Sequence, residues 1–492
     1  MNLFARFAAA AEPRLSRTAI CWGDDLHSFD WLRRRANGLA AHLVQDHNVQ
    51  PGDRVAVWLK NCPEFPATLF GVWQAGGVVV MVNNFLKPDE VDFILSDSGA
   101  KVVVADASLG EKRQELESRN KGWSFVGIEE YDSMADGDPM EPVSRGHEDL
   151  AALLYTSGTT GHPKGAMLTH GNFIHNVTSC LTCLELTEDD RVVVLLPQFH
   201  SFMFTVGTLV PLLAGAGIVL MKSLHPFKNV IAEIIRHKGT ILPAVPAIYR
   251  SLTQAELPPL PLRLCLSGGA PLPVEVLKEF QRRYSYPLVE GYGPTETSPV
   301  ATLNPVRGPW KAGSVGVPIP EVELSIRNEA GDELPAGETG EICIRGGNVM
   351  QGYWRQPEES DQVLRGGWLY TGDIGHRDED GYYYITDRKK DMLLVNGINV
   401  YPREIEEVIY QFPGVKEAAV IGVKDERKGE APIAYVVAND GLELQVGELR
   451  KFVKGKLADY KVPKEVRVIE ALPRNATGKV LKTELRKMTD EL

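Results

Sequence analysis

Leu153-Leu-Tyr-Thr-Ser-Gly-Thr-Thr-Gly-His-Pro-Lys-Gly165 carries more information than any other stretch of this 492-residue chain. An apolar run that reads as a buried strand feeds a loop of Thr156, Ser157, Gly158, Thr159, Thr160 and Gly161, with Lys164 close behind. Glycines let backbone N–H groups turn toward an anion, hydroxyls add donors and the lysine supplies a point charge, so the string predicts a phosphate-binding loop. It is not a Walker loop, which needs four residues between its glycines and Ser or Thr after the lysine. Here two residues separate Gly158 from Gly161, and Gly165 follows Lys164. A plain surface loop uses the same residue types but does not call for this order.

Before this stretch, short apolar runs alternate with helical patterns. Residues 53–59 read as a buried strand after the turn Pro51-Gly52, 64–75 as a helix, 77–82 as a strand, 88–98 as a helix and 101–105 as a strand. Residues 262–266 and 288–289 continue the rhythm. It predicts an α/β fold whose large N-terminal domain has parallel-rich sheets covered by helices. After about Trp310 turn residues crowd together around short strands such as 340–345, which predicts a β-rich subdomain over about 310–386. The charged stretch Asp387-Arg-Lys-Lys-Asp391 precedes a last unit read as helix 402–411, strands 417–423 and 433–437, helix 446–456 and strand 465–468. The expected division is an N-terminal domain, 1–389, and a small mobile α+β domain, 390–492. There is no fixed-period repeat and no low-complexity segment.

Composition narrows the function classes. Hydrophobic residues make up 43%, ample for a large core, and the net charge of −12 argues against broad nucleic-acid binding. Six cysteines, at 21, 62, 180, 183, 265 and 343, show no disulfide spacing, and no secretory signal opens the chain, so a cytoplasmic setting is expected. The uncharged residues 192–221 are broken by His200, Gly207, Pro211, Gly215 and Gly217 and read as strand, helix, strand rather than a membrane span. The terminal Thr-Asp-Glu-Leu approaches a retention tetrapeptide but differs at its first residue.

The 153–165 string resembles the nucleotide loop of the adenylate-forming superfamily, which holds acyl- and aryl-CoA synthetases, firefly-type luciferases and peptide-synthetase adenylation domains. Glu290-Gly-Tyr-Gly-Pro-Thr-Glu-Thr297, Tyr370-Thr-Gly-Asp373, Leu266-Ser-Gly-Gly-Ala270 and Pro473-Arg-Asn-Ala-Thr-Gly-Lys479 resemble its further signatures. The likeness implies Tyr292 against adenine within Glu290, Gly291, Tyr292 and Gly293, Thr295 near the α-phosphate and Glu296 holding Mg2+. It implies Gly268, Gly269 and Ala270 as a turn beside adenine, Asp373 on the ribose, Arg388 on ribose and phosphate, and Lys479 on the carboxylate and α-phosphate. Read alone, Asp373 is an Asx-turn residue, Glu296 a helix-cap partner and Lys479 a solvated lysine.

The resemblance implies ATP-dependent activation of a carboxylic acid to an acyl-adenylate, then transfer to the thiol of CoA with release of AMP. The segment Asn396-Gly-Ile-Asn-Val-Tyr-Pro402 is similar to that of CoA ligases, with Gly397 passing the pantetheine arm. A carrier protein is the alternative acceptor. A non-catalytic relative would lack one of Lys164, Glu296, Asp373, Arg388 or Lys479, and all five are present; nothing is special to luciferin. The apolar residues 199–207 hold no acid to meet an ammonium, and Gly293 stands where acetate-specific relatives have Trp, so a medium- to long-chain fatty acid is expected, with aryl acids as the alternative. His200 is expected to line or gate the acyl site. Cys180 and Cys183 read as core or semi-buried residues on one helix face. Lys390 is the expected hinge.

Overall fold

A computed structural model describes residues 2–119, 121–134, 140–156, 163–425, 428–475 and 478–490. The βα rhythm is present element by element as strand Arg54–Trp58, helix Glu64–Gln74, strand Val78–Met81, helix Pro88–Ser98 and strand Val102–Ala105. Val78–Met81 and Val102–Ala105 are buried at every position, as parallel strands covered on both faces require. Helix Pro88–Ser98 starts where the Glu90 carboxylate accepts the Lys87 N–H at 2.8 Å. It stops at Gly99, whose φ of 66° supplies a left-handed cap.

These strands join a six-stranded sheet that is parallel until its last pair, Leu150–Thr156 and Lys164–Thr169, which is an antiparallel hairpin. A nine-stranded sheet has a parallel centre containing Arg191–Val194, Gly217–Leu220, Ile241–Ala244, Leu264–Ser267 and Leu288–Tyr292. Between its strands Arg191–Val194 and Gly217–Leu220 runs a π-helical turn, Met203–Leu209, that passes into helix Val210–Ala214. The uncharged stretch is thus strand, helix, strand. Among the described residues no helix is long and apolar enough to cross a membrane.

A five-stranded antiparallel sheet follows, from Val322–Arg327 to Tyr383–Arg388. The last sheet, built around the long pair Val415–Asp425 and Gly429–Ala438, is packed by helices Pro402–Tyr410, Val446–Lys454 and Lys482–Asp490. It carries its own core of Leu393, Val400, Ile405, Val420, Ala434 and Leu449. The architecture is mixed α/β, with parallel-rich sheets, a β-rich subdomain and a small C-terminal domain.

Candidate active site

Open parallel sheets offer their strand ends as binding surface, and the predicted residues gather there. Lys164 begins the return strand of the hairpin, opposite Thr156. Its ammonium is buried and ion-paired with Glu359, and lies 5.4 Å from the centre of the Tyr353 ring. The Tyr353 hydroxyl donates to Glu296 Oε1 at 2.8 Å. Residues 352–354 reach this place by pairing with the return strand, where Met167 N–H meets the Gly352 carbonyl at 2.9 Å and Trp354 N–H meets the Gly165 carbonyl at 2.8 Å. Ser157, Gly158, Thr159, Thr160 and Gly161 lie outside the described residues.

Asp373 is 3% exposed, and both its oxygens are engaged. Oδ2 accepts the Tyr292 hydroxyl at 2.6 Å and Oδ1 pairs with Arg388 Nε at 2.9 Å. A carboxylate has about four lone-pair sites, so each oxygen retains capacity for a sugar hydroxyl. Burial, then the Asp373 charge, pushes the Tyr292 phenol up. Thr295 shares a 3.1 Å hydrogen bond with Ser201, the residue after His200. Burial first and the Lys479 ammonium second push His200 down to about 4, so its imidazole is neutral near pH 7.

Lys479 sits in a loop braced by Asn475 Oδ1, which accepts its N–H at 2.9 Å. The neighbouring Gly478 abuts Val245 of the large unit. Although its side chain reaches solvent, the crowding around it, then the Arg388 guanidinium, push Lys479 down to about 8. Lys479 lies in the fields of Arg388 and Asp373, and His200 in that of Lys479. Gly397 is elsewhere, at the exposed tip of the hairpin Leu393–Val395 and Ile398–Val400, with open space around it. Lys390 is exposed just past strand Tyr383–Arg388.

A cavity of about 70 Å3 adjoins these groups, lined by His200, Ser201, Phe202, Gly268, Gly269, Tyr292 and Gly293 and backed by Cys180 and Leu184 of helix His170–Leu184. Phe202 lies over Gly268, where an added Cβ would stand 3.2 Å from its ring. Gly293 has no space for any side chain, because the Pro299 carbonyl occupies it. Val206 lines the cavity, whereas Met203 and Phe204 turn into the core. Cys180 is buried and Cys183 half-buried, as expected, although Cys180 also borders the cavity. Ala270 stands half-buried just beyond the two lining glycines. The Glu290 side chain turns to the Leu272 N–H at 2.9 Å, and Glu290 does not line the cavity. Tyr353, Glu359 and Ser201 escaped the sequence reading.

The sequence pattern of the AMP-binding enzyme family matches residues 7–354, and that of the AMP-binding enzyme C-terminal domain matches 404–479. A feruloyl-CoA synthase of an Amycolatopsis species is 39% identical, over 96% of this chain and 95% of that protein. A long-chain-fatty-acid–CoA ligase of Bacillus subtilis is 36% identical, over 95% of this chain and 91% of its own. The ATP-bound crystal structure of MatB from Rhodopseudomonas palustris superposes with a TM-score of 0.91 at 34% identity, covering 100% of this chain and 99% of that one.

Proposed function

The chain belongs to the family of AMP-binding enzymes and is an AMP-forming acyl-CoA ligase, and on that premise we propose that the acid it activates is a single-ring aryl acid. The cavity carries this reading. About 70 Å3 corresponds to roughly five to seven water-sized positions, which suits one ring and its short linker. A long alkyl chain, the expectation from sequence, needs far more room than this volume. The likeness to a feruloyl-CoA synthase points the same way.

In the first half-reaction a carboxylate oxygen of the acid attacks the α-phosphorus of ATP, and pyrophosphate leaves with the electrons of the broken P–O bond. Lys164 and the donors of the preceding loop hold phosphate oxygens, and Glu359 keeps the lysine aimed. Thr295, oriented by Ser201, donates at the α-phosphate. Asp373 takes the ribose hydroxyls, with Tyr292 and Arg388 fixing its two oxygens. Lys479 neutralises charge shared by the carboxylate and the α-phosphate. Neutral His200 and Phe202 form the dry wall at the mouth of the acyl cavity.

Glu296 would hold Mg2+, since Oε1 carries the Tyr353 hydroxyl and Oε2 is left for a hard cation that needs only one or two protein carboxylates beside a triphosphate. Bound there, the metal would withdraw charge from the phosphates. In the second half-reaction the CoA sulfur attacks the acyl carbonyl and AMP departs. Lys479 and Gly397 belong to the same small unit, with Lys479 against the site and Gly397 turned to open space. We therefore read 390–492 as a domain that rotates about Lys390 relative to 1–389, presenting one face for each half-reaction. The six free cysteines suit the reducing cytosol.

Pyrophosphate release across benzoates, cinnamates and straight-chain acids tests the acid. Cinnamate- or benzoate-class acids are expected to exceed hexadecanoate at least about tenfold in kcat/KM, because each methylene that finds no room forfeits about 0.8 kcal/mol of burial. Best activity on a long-chain fatty acid overturns the reading.

A further inference from the structure

Helix Pro246–Gln254 of the large unit meets the small unit at two places. Val245, just before its first residue, faces Gly478, where an added Cβ would lie 3.5 Å from a Val245 methyl. About one and a half turns further on, the Arg250 guanidinium crosses to the small unit. Its Nη2 donates to the Val415 carbonyl at 2.8 Å and to Asn439 Oδ1 at 3.3 Å. Val415 opens strand Val415–Asp425, and Asn439 follows the end of the partner strand Gly429–Ala438, where its N–H meets the Gly414 carbonyl at 2.8 Å. One nitrogen thus grips both strands of the pair at one end. The helix behind it is fixed, because the buried Tyr249 hydroxyl lies 2.5 Å from the Leu242 carbonyl and 2.9 Å from that of Leu266, on two neighbouring strands of the nine-stranded sheet. On the other side, Glu417 of the gripped strand pairs with Arg474 at 2.7 Å, and Arg474 Nη1 donates to the Gly478 carbonyl beside Lys479. A chain of contacts therefore leads from Arg250, along one strand, to the lysine loop.

We propose that Arg250 is a positioning residue that fastens the small unit in the pose presenting Lys479, with the Val415 carbonyl and Asn439 as its receptor. The inference rests on the two-pose reading above. Among the described residues, both hydrogen-bond acceptors of the Arg250 guanidinium belong to the small unit. When that unit swings away, both acceptors leave with it and the half-buried guanidinium returns to water. The contact therefore stabilises one pose and not the other, which is what a shift between two poses requires. A hydrogen bond with one charged partner weights that pose about tenfold or more. The acceptors are a carbonyl and an amide rather than a carboxylate, so no bare charge is stranded on the small unit when the contact opens. Arg250 acts through the strand and Arg474 on Lys479, and the residues that hold ATP on the large unit, Lys164 and Asp373, stay where they are in either pose.

ATP–pyrophosphate exchange and thioester formation from supplied acyl-adenylate and CoA are measured separately on wild type, Arg250→Met, Arg250→Lys, Asn439→Ala and the double variant of Arg250→Met with Asn439→Ala. Arg250→Met is expected to lower the maximal rate of exchange at least about fivefold, with the KM for ATP and the rate of thioester formation each within about twofold of wild type. Arg250→Lys recovers part of the exchange, since its ammonium still reaches toward the Val415 carbonyl. Asn439→Ala lowers exchange less than Arg250→Met and adds nothing to it in the double variant, because one nitrogen serves both acceptors. If Arg250→Met does not fold, Asn439→Ala, at a half-buried position, is held to the same split. Unchanged exchange in Arg250→Met overturns the proposal, as does parallel loss of both half-reactions in a variant that melts like wild type, or full additivity in the double variant. Lys390→Pro is run alongside. If it leaves the half-reactions in wild-type proportion, the two-pose reading has failed and the fastening role with it. If it splits them and Arg250→Met does not, only the fastening role has failed.

Discussion

Asp373 and Arg388 stand directly opposite each other on adjacent antiparallel strands, with the guanidinium Nε 2.9 Å from a carboxylate oxygen. Sheet register, not a loop, therefore delivers the arginine to this carboxylate. The other carboxylate oxygen holds Tyr292 from a different sheet, so the triad locks the β-rich subdomain against the end of strand Leu288–Tyr292.

Asp373→Asn removes the charge that both partners address. A hydrogen bond to a charged group is worth about 1.5–3 kcal/mol, so the KM for ATP is expected to rise about tenfold or more. The KM for the acid should move far less. Initial rates of pyrophosphate release against each substrate check this; equal rises for both place Asp373 in general packing instead.

Tyr353→Phe deletes the hydroxyl on Glu296 Oε1 while keeping the ring beside Lys164. Glu296 is then free to turn, and the expected outcome is a several-fold higher Mg2+ requirement at saturating ATP, with kcat restored at high Mg2+. A Mg2+ titration of pyrophosphate release reads it, and an unchanged requirement detaches Tyr353 from the metal site.

Much of this was readable from residues alone. Val78–Met81 and Val102–Ala105 are apolar at every position because helices cover both faces, and that local signal survives in sequence. Asp373, Arg388 and Lys479 were singled out because a family likeness marks them. Tyr353, Glu359 and Ser201 were not, because they reach the site through tertiary pairing: Trp354 meets Gly165 across almost 190 residues, and no periodicity announces such a contact. Glu290 shows the opposite failure. Strand alternation puts it on the same side as Tyr292, yet its carboxylate turns to the Leu272 N–H of the neighbouring loop and does not line the cavity.

The pH dependence of adenylate formation should have its alkaline limb at Lys479. The crowding around it, then Arg388, push this lysine down to about 8, and the protonated form is the one that neutralises charge. Activity is therefore full below that value and declines as pH rises through it. Lys479→Arg keeps a charge that does not titrate in proteins, so its residual exchange should lack the limb. His200, pushed down to about 4, stays neutral throughout and contributes nothing to it. A limb unmoved in Lys479→Arg assigns it to another group.

The two half-reactions should separate by mutation. Lys479 lies against the site through Gly478 and Val245, while Gly397 stands in open space on the same small unit. On the two-pose reading proposed above, each half-reaction uses its own pose. Lys479→Ala is expected to abolish pyrophosphate exchange and to preserve thioester formation from supplied acyl-adenylate. Lys390→Pro fixes φ near about −65° at the exposed turn where the proposed rotation would be absorbed. It should spare exchange, since the pose described here is already formed, and cripple thioester formation. Each variant is assayed for both half-reactions after its thermal midpoint is matched to wild type. Parallel loss in both variants means that the small unit does not alternate and that CoA enters by a route that leaves Lys479 in place.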